Sequence, residues 1–203
     1  MKRYAGWKAI FAVALMSMLI LGSIKEVAAY REPEFTTNLG GLPISCSIYP
    51  EQAGIGNIHT GDSVAAVRAC YGMPDNITDG NGLRHYYDGM ILTFVDFAGD
   101  KKPILVDIKV TKNMRIGNNA TPAGVGVGMS EYVLTQAYGT ADEVYIEKHT
   151  APKLSEEQNQ KYDERLNRTV YTYNASACLS MSFIVRNGII QEIRIHLSDS
   201  GDK

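Results

Sequence analysis

Residues 61–75, GDSVAAVRACYGMPD, are echoed by residues 128–142, GMSEYVLTQAYGTAD, without a gap across fifteen positions. Gly61/Gly128, Ser63/Ser130, Tyr71/Tyr138, Gly72/Gly139 and Asp75/Asp142 recur in register. A chain that carries one unit twice is expected to fold it twice, which constrains the architecture before any other feature does. Each recurring position has a mechanical reading. Ser63 and Ser130 stand where an N-cap accepts from the free N–H groups of a first helical turn. Val67, Cys70 and Tyr71 follow at three- and four-residue spacing, as do Leu134, Ala137 and Tyr138. Each helix therefore has one apolar stripe, with Cys70 on its buried side. Gly72 and Gly139 sit where a left-handed residue closes a helix at little steric cost. Pro74 reinforces the first stop. Helices of about eight or nine residues are too short to persist alone, so they need a surface to dock on.

That surface reads as antiparallel sheet. The segments VYTYNA (170–175), CLSMSFIVR (178–186) and IIQEIRIHL (189–197) alternate apolar and polar positions. Asn187-Gly188 between the last two is a strong two-residue hairpin signal. HYYDG (85–89), MILTFVD (90–96) and ILVDIKV (104–110) form an earlier set, in which Asp107/Lys109 match Glu192/Arg194. The strand correspondence lies 85 residues apart and the helix correspondence 67, so the second copy holds an insertion. Residues 149–168, HTAPKLSEEQNQKYDERLNR, supply it as a polar excursion between two strands. The expected class is α+β: two tandem repeats, each a short helix packed on an antiparallel β-sheet. Residues 55–114 form repeat 1, residues 115–124 an Asn- and Gly-rich linker, and residues 125–198 repeat 2. Residues 30–54 precede them as a largely irregular segment.

The start of the chain reads as a secretory signal. Lys2, Arg3 and Lys8 precede an uncharged run over residues 9–24, and Val27 and Ala29 occupy the small-residue positions of a peptidase site. Cleavage after Ala29 is the favoured reading, giving a signal peptide over residues 1–29. An uncleaved anchor is the competing one, although the run falls short of the ~18–20 residues that span a bilayer. No other run is long enough to span, and no cysteine lies near this one to carry a lipid. Removing the leader's net +3 from the chain's −2 leaves −5. A mildly acidic chain without a basic cluster is a poor nucleic-acid binder. Cys46, Cys70 and Cys178 remain, and the odd count leaves at least one thiol free. Cys46 and Cys178, both in strand-like segments, are the candidate pair. Four Asn-x-Ser/Thr triplets begin at Asn76, Asn119, Asn167 and Asn174, but the leader looks bacterial and they are discounted.

The helix motif with its Tyr-Gly ending, the Tyr-x-Tyr strand, Asn187-Gly188 and IxxIxI together resemble the tandem repeat of the β-lactamase inhibitor protein-like superfamily. The small outer-membrane lipoproteins (SmpA/OmlA, BamE-like) are similar. The likeness covers roughly residues 54–197. It implies short helices on antiparallel sheets lying side by side, in an exported protein that binds other proteins without catalysis. Two departures stand out: the chain lacks paired cysteines within each repeat and lacks a lipobox. No inhibitory residue carries over, because none of the matching positions is an inhibitory contact.

Chemistry-bearing motifs are scarce. His59, His85, His149 and His196 are scattered, and no H-E-x-x-H, paired C-x-x-C or nucleophile elbow occurs. AGVGVG (123–128) resembles a dinucleotide loop only superficially, lacking the G-x-G-x-x-G spacing and a βαβ setting. Asp96, Asp100 and Asp107 lack calcium-loop spacing. The expectation is no enzyme, no cofactor and no metal. With helices on one face of a sheet, alternate residues look outward. Tyr86, Thr93, Lys109, Thr172, Arg194 and His196 are the candidate protein-binding face, accompanied by Val95, Asp107, Ile184 and Glu192. Tyr and Arg on such a face commonly anchor interfaces, although cross-strand ion pairs on an ordinary outer face would read the same way. The expected partner is an extracytoplasmic protein, in the periplasm, at the cell surface or in the secreted space. A structural or assembly role in the cell envelope through the 149–168 excursion is the alternative, and a small Cys/His hydrolase a remoter one.

Overall fold

The computed structural model describes residues 31–37, 43–80, 82–112, 119–147, 154–158 and 167–198. The signal reading over residues 1–29 lies outside the described residues, as do most of the 149–168 insertion and part of the 115–124 linker.

The dominant element is one antiparallel sheet of eight strands. An N-terminal hairpin, β1 (Glu34–Thr37) and β2 (Pro43–Cys46), and a small ladder, β3 (Gly54–Ile55) and β4 (Ile58–His59), come first. Helix α1 (Val64–Tyr71) leads into β5 (Asn76–Gly80), β6 (Gly82–Tyr87), β7 (Met90–Val95) and β8 (Ile104–Val110). Helix α2 (Glu131–Tyr138) leads into β9 (Glu143–Glu147), β10 (Arg168–Asn174), β11 (Leu179–Arg186) and β12 (Ile189–Leu197). The sheet order is β5-β6-β7-β8-β12-β11-β10-β9, so the second set of four strands mirrors the first.

This corrects the expected α+β class. Of the described residues 45% are strand and 16% helical, and the strands share a single sheet instead of forming one beneath each helix. The seam is the β8–β12 pair, which sets Val110 opposite Ile193 and Ile108 opposite Ile195. The helices contribute little to the core. Val67 is the buried residue of α1, whereas Leu134, Ala137 and Tyr138 are buried on α2. Cys70, expected on the buried side of α1, is exposed. An eight-residue helix presents only about two turns to its support, too little to define a layer.

Strand alternation builds the core. Met90, Leu92 and Phe94 of β7, Ile108 and Val110 of β8, Ile193 and Ile195 of β12 and Met181, Phe183 and Val185 of β11 point to one face. α1, α2 and apolar residues of the N-terminal segment (Ile48, Ala53, Ile55, Ile58) cover that face. Two aromatic groupings lock the helices down. Tyr71 meets Tyr87 at 6.0 Å between centroids, and Tyr138 meets Tyr173 and Phe183 at 5.4 and 5.6 Å.

The echoed residues make matching contacts. Ser63 bridges to Ile104 and Ser130 to Ile189. The Gly61 and Gly128 amides donate to the carbonyls of Leu105 and Ile190, at 2.7 and 2.8 Å. The Ser63 side chain accepts from the Ala66 amide at 3.2 Å, whereas the Ser130 side chain makes no capping bond. Gly72 and Gly139 adopt φ of 77° and 69°, a region in which other residues are strained. Asn187 and Gly188 have φ of 51° and 70°, the positive pair that a type I′ hairpin requires.

Candidate functional site

The face of the sheet opposite the helices carries alternate residues of the same strands. Arg84 and Tyr86 of β6 lie beside Thr93 and Ile91 of β7, and Asp107 and Lys109 of β8 face Thr93 and Ile91 in turn. Across the seam Lys109 registers with Arg194, and Asp107 with His196. Farther out, Glu192 opposes Ile184, Ile184 opposes Val170, and Ser182 opposes Thr172. All six candidate residues, Tyr86, Thr93, Lys109, Thr172, Arg194 and His196, therefore lie on one face because strand side chains alternate with a period of two.

They are not all gathered at one point. A hollow of about 270 Å³ opens over β6, β7, β8 and β12, lined by Arg84, Tyr86, Ile91, Thr93, Asp107, Lys109 and Arg194. Thr172 lies beyond it, its hydroxyl 3.0 Å from that of Ser182. His196 does not line it, although it faces Asp107 in register. Arg84 and Ile91 were absent from the expected set. Each sits two residues from a candidate, Tyr86 or Thr93, so the period-two rule points to both. Ile184, in contrast, is only 7% exposed although it belongs to the outer face.

The hollow's electrostatics are uneven. Glu192 holds Lys109 at 3.1 Å and also accepts from Arg194 Nε. Asp107 has no ion pair among the described residues, although His196, Arg194, Lys109 and Arg84 all act on it. Burial pushes its carboxyl above the ordinary range despite those neighbours. At Tyr86 the hydrogen bond with Thr78 lowers the phenol, and Arg84 adds to the effect. The surroundings of Tyr86 thus favour negative charge, whereas burial opposes it at Asp107.

The cysteines do not pair. Cys46 is buried, Cys70 exposed and Cys178 intermediate, and all three are free, so the candidate Cys46–Cys178 pair is not bridged. Cys46 is held in place by an anchor instead. The Asp142 carboxylate accepts from the Ser45 hydroxyl, the Ser47 amide (3.1 Å), the Ser47 hydroxyl (2.6 Å) and the Asn174 amide (2.7 Å). Asn174 Nδ2 donates back to the Ser45 carbonyl at 3.0 Å. His85, by contrast, is fully buried against Phe94, with neither ring nitrogen hydrogen-bonded. Among the described residues no three His, Cys, Asp or Glu side chains are placed to hold a metal ion. Among the same residues no helix is long and apolar enough to cross a membrane.

No protein-family model matches the chain, and no curated protein matches it. In structure the chain is similar to YjgB, a DUF4309 family protein from Bacillus subtilis subsp. subtilis str. 168. The identity is 16%, the match covers 70% of this chain and 80% of that one, and the TM-score is 0.36. A likeness at that level carries no argument about fold or function.

Proposed function

We propose that this chain is an exported, non-catalytic protein-binding module that engages its partner through the outer face of the eight-stranded sheet. The observation that carries the reading is the composition of the hollow. Tyr86 and two arginines, Arg84 and Arg194, surround an apolar floor at Ile91. Aromatic and Arg side chains around a small desolvated centre are the usual energetic anchors of protein interfaces. The helices and Ile48, Ala53, Ile55 and Ile58 lie on the other side, so a partner meets this face without displacing any of them. The resemblance to the inhibitor-like superfamily points the same way, since those proteins bind other proteins without catalysis. The charged leader and its uncharged run support export.

The test is affinity capture from the native envelope and culture fluid, with mass-spectrometric identification. The wild-type chain is compared with the Tyr86→Ala/Arg194→Ala double variant. Specific enrichment by the wild type is expected to disappear in the variant while circular dichroism and thermal melting stay unchanged. Equal capture by both chains refutes a role for this face.

A further inference from the structure

We infer that the hollow over β6, β7, β8 and β12 receives an acidic side chain, Asp or Glu, presented by the partner protein. This rests on the protein-binding reading and narrows it to one chemistry. Three cations line the hollow, Arg84, Lys109 and Arg194, against one carboxylate, Asp107. Glu192, beside the hollow, occupies Lys109 and the Nε of Arg194. Three positive groups against Asp107 and Glu192 leave one positive charge in excess.

The donors are also unequally used. A guanidinium presents five N–H donors in a planar fork that matches a carboxylate. Arg194 spends its Nε on Glu192, and Arg84 forms no ion pair among the described residues. Asp107 forms none either, so no carboxylate of the hollow claims the donors that Arg84 and Arg194 keep beyond those spent on Tyr86 and Glu192. Thr93 adds a hydroxyl, and Ile91 an apolar floor for a methylene stem. A volume of about 270 Å³ accommodates one side chain and its ordered water, but not a folded segment. A partner's lysine or arginine would meet a net excess of like charge, an arrangement that selects against it.

The experiment uses the full chain with 15N-labelled arginine and follows the Nε–H signals of Arg84 and Arg194 by NMR. The probes are N-acetyl-glutamate amide, its glutamine isostere, N-acetyl-lysine amide and inorganic phosphate. Blocked glutamate is expected to shift both signals saturably in the millimolar range, whereas the glutamine and lysine probes leave them in place. Uniformly 15N-labelled Arg84→Gln/Arg194→Gln, followed through the backbone amides of Thr93 and Lys109 against uniformly labelled wild type, is expected to weaken glutamate binding about tenfold. Asp107→Asn, which removes the opposing charge, is expected to tighten it by about threefold. That gain separates recognition of charge from a structural role. Phosphate binding much more tightly than glutamate would assign the hollow to phosphate and overturn the inference, as would no saturable shift or an equal response to lysine. If the double variant used for affinity capture loses its partner while glutamate fails to bind, the interface reading stands and the acidic-group inference falls. If glutamate binds while capture is unaffected, the interface reading falls instead.

Discussion

The phenol of Tyr173 donates to the carbonyl of Gly139 across 3.2 Å, fastening the end of α2 to β10, the strand next to one edge of the sheet. Tyr87 does the same for Gly72 at the end of α1, also at 3.2 Å. A tyrosine of β6 and one of β10 thus each satisfy the carbonyl of the residue that stops the preceding helix, a group with no helical partner of its own. Tyr173 is fully buried and Tyr87 nearly so. Tyr173→Phe removes the donor, keeps the ring and leaves the carbonyl unpaired. It is expected to cost about 1–2 kcal/mol, measured by urea unfolding with an unchanged slope. A shift in midpoint smaller than that of Tyr87→Phe would show that burial does not set the strength of this bond.

The Asp142 anchor joins parts of the chain that are far apart in sequence. One carboxylate satisfies two amides and two hydroxyls from residues 45, 47 and 174. Asp142→Ala leaves those amides without their acceptor and is expected to destabilise the fold by about 3 kcal/mol. Hydrogen exchange provides the sharper check. The Ser47 and Asn174 amides should lose protection while those of β7 and β8 keep theirs. Uniform loss across the sheet would mean that the anchor holds the whole fold and not the N-terminal segment.

The sequence shows why part of this architecture was legible and part was not. The helix ends were readable because Ser, Gly and Pro act locally, and the β11–β12 hairpin because Asn187-Gly188 sets its own geometry. The edge strands β5 and β9 escaped notice. All five residues of β5 are exposed, and Val144, Tyr145 and Ile146 of β9 run together without alternation. The seam between β8 and β12 has no turn to announce it, because its strands pair across most of the second half of the chain. That pairing turns the expected two sheets into one. Asp142 reads in sequence as the tail of a helix motif, and nothing local tells it that Ser45 and Ser47 lie alongside. The outer face was largely readable from period-two alternation, but the hollow within it depends on which long side chains lean together.

The three thiols should report their surroundings in order. Cys70 is exposed, Cys178 intermediate and Cys46 buried, with the Cys46 thiol raised by burial and then by Asp142. A raised thiol carries less thiolate at neutral pH and reacts more slowly. With an aromatic disulfide reagent at pH 8, Cys70 is expected to react first and Cys178 more slowly. Cys46 should react only in denaturant, giving three thiols per chain in total. A native count limited to one under non-reducing conditions, restored by reductant, would reveal a bridge between the other two.

His85 should make the fold acid-sensitive. Its ring is fully buried against Phe94 at 4.8 Å between centroids, with no hydrogen bond to either nitrogen. Burial lowers its pKa first, and the Arg68 charge lowers it further. The folded state therefore keeps the ring neutral at a pH where the unfolded chain, titrating near 6.5, already binds a proton. The contribution to stability is complete above that value and is lost as pH falls through the lower folded pKa. His85→Leu removes both the proton linkage and two unsatisfied polar atoms at some cost in ring packing. At pH 5 the variant is expected to exceed the wild type by about 1–2 kcal/mol in urea unfolding, with the gap narrowing by pH 8. A gap that does not change with pH would show that His85 acts through packing alone.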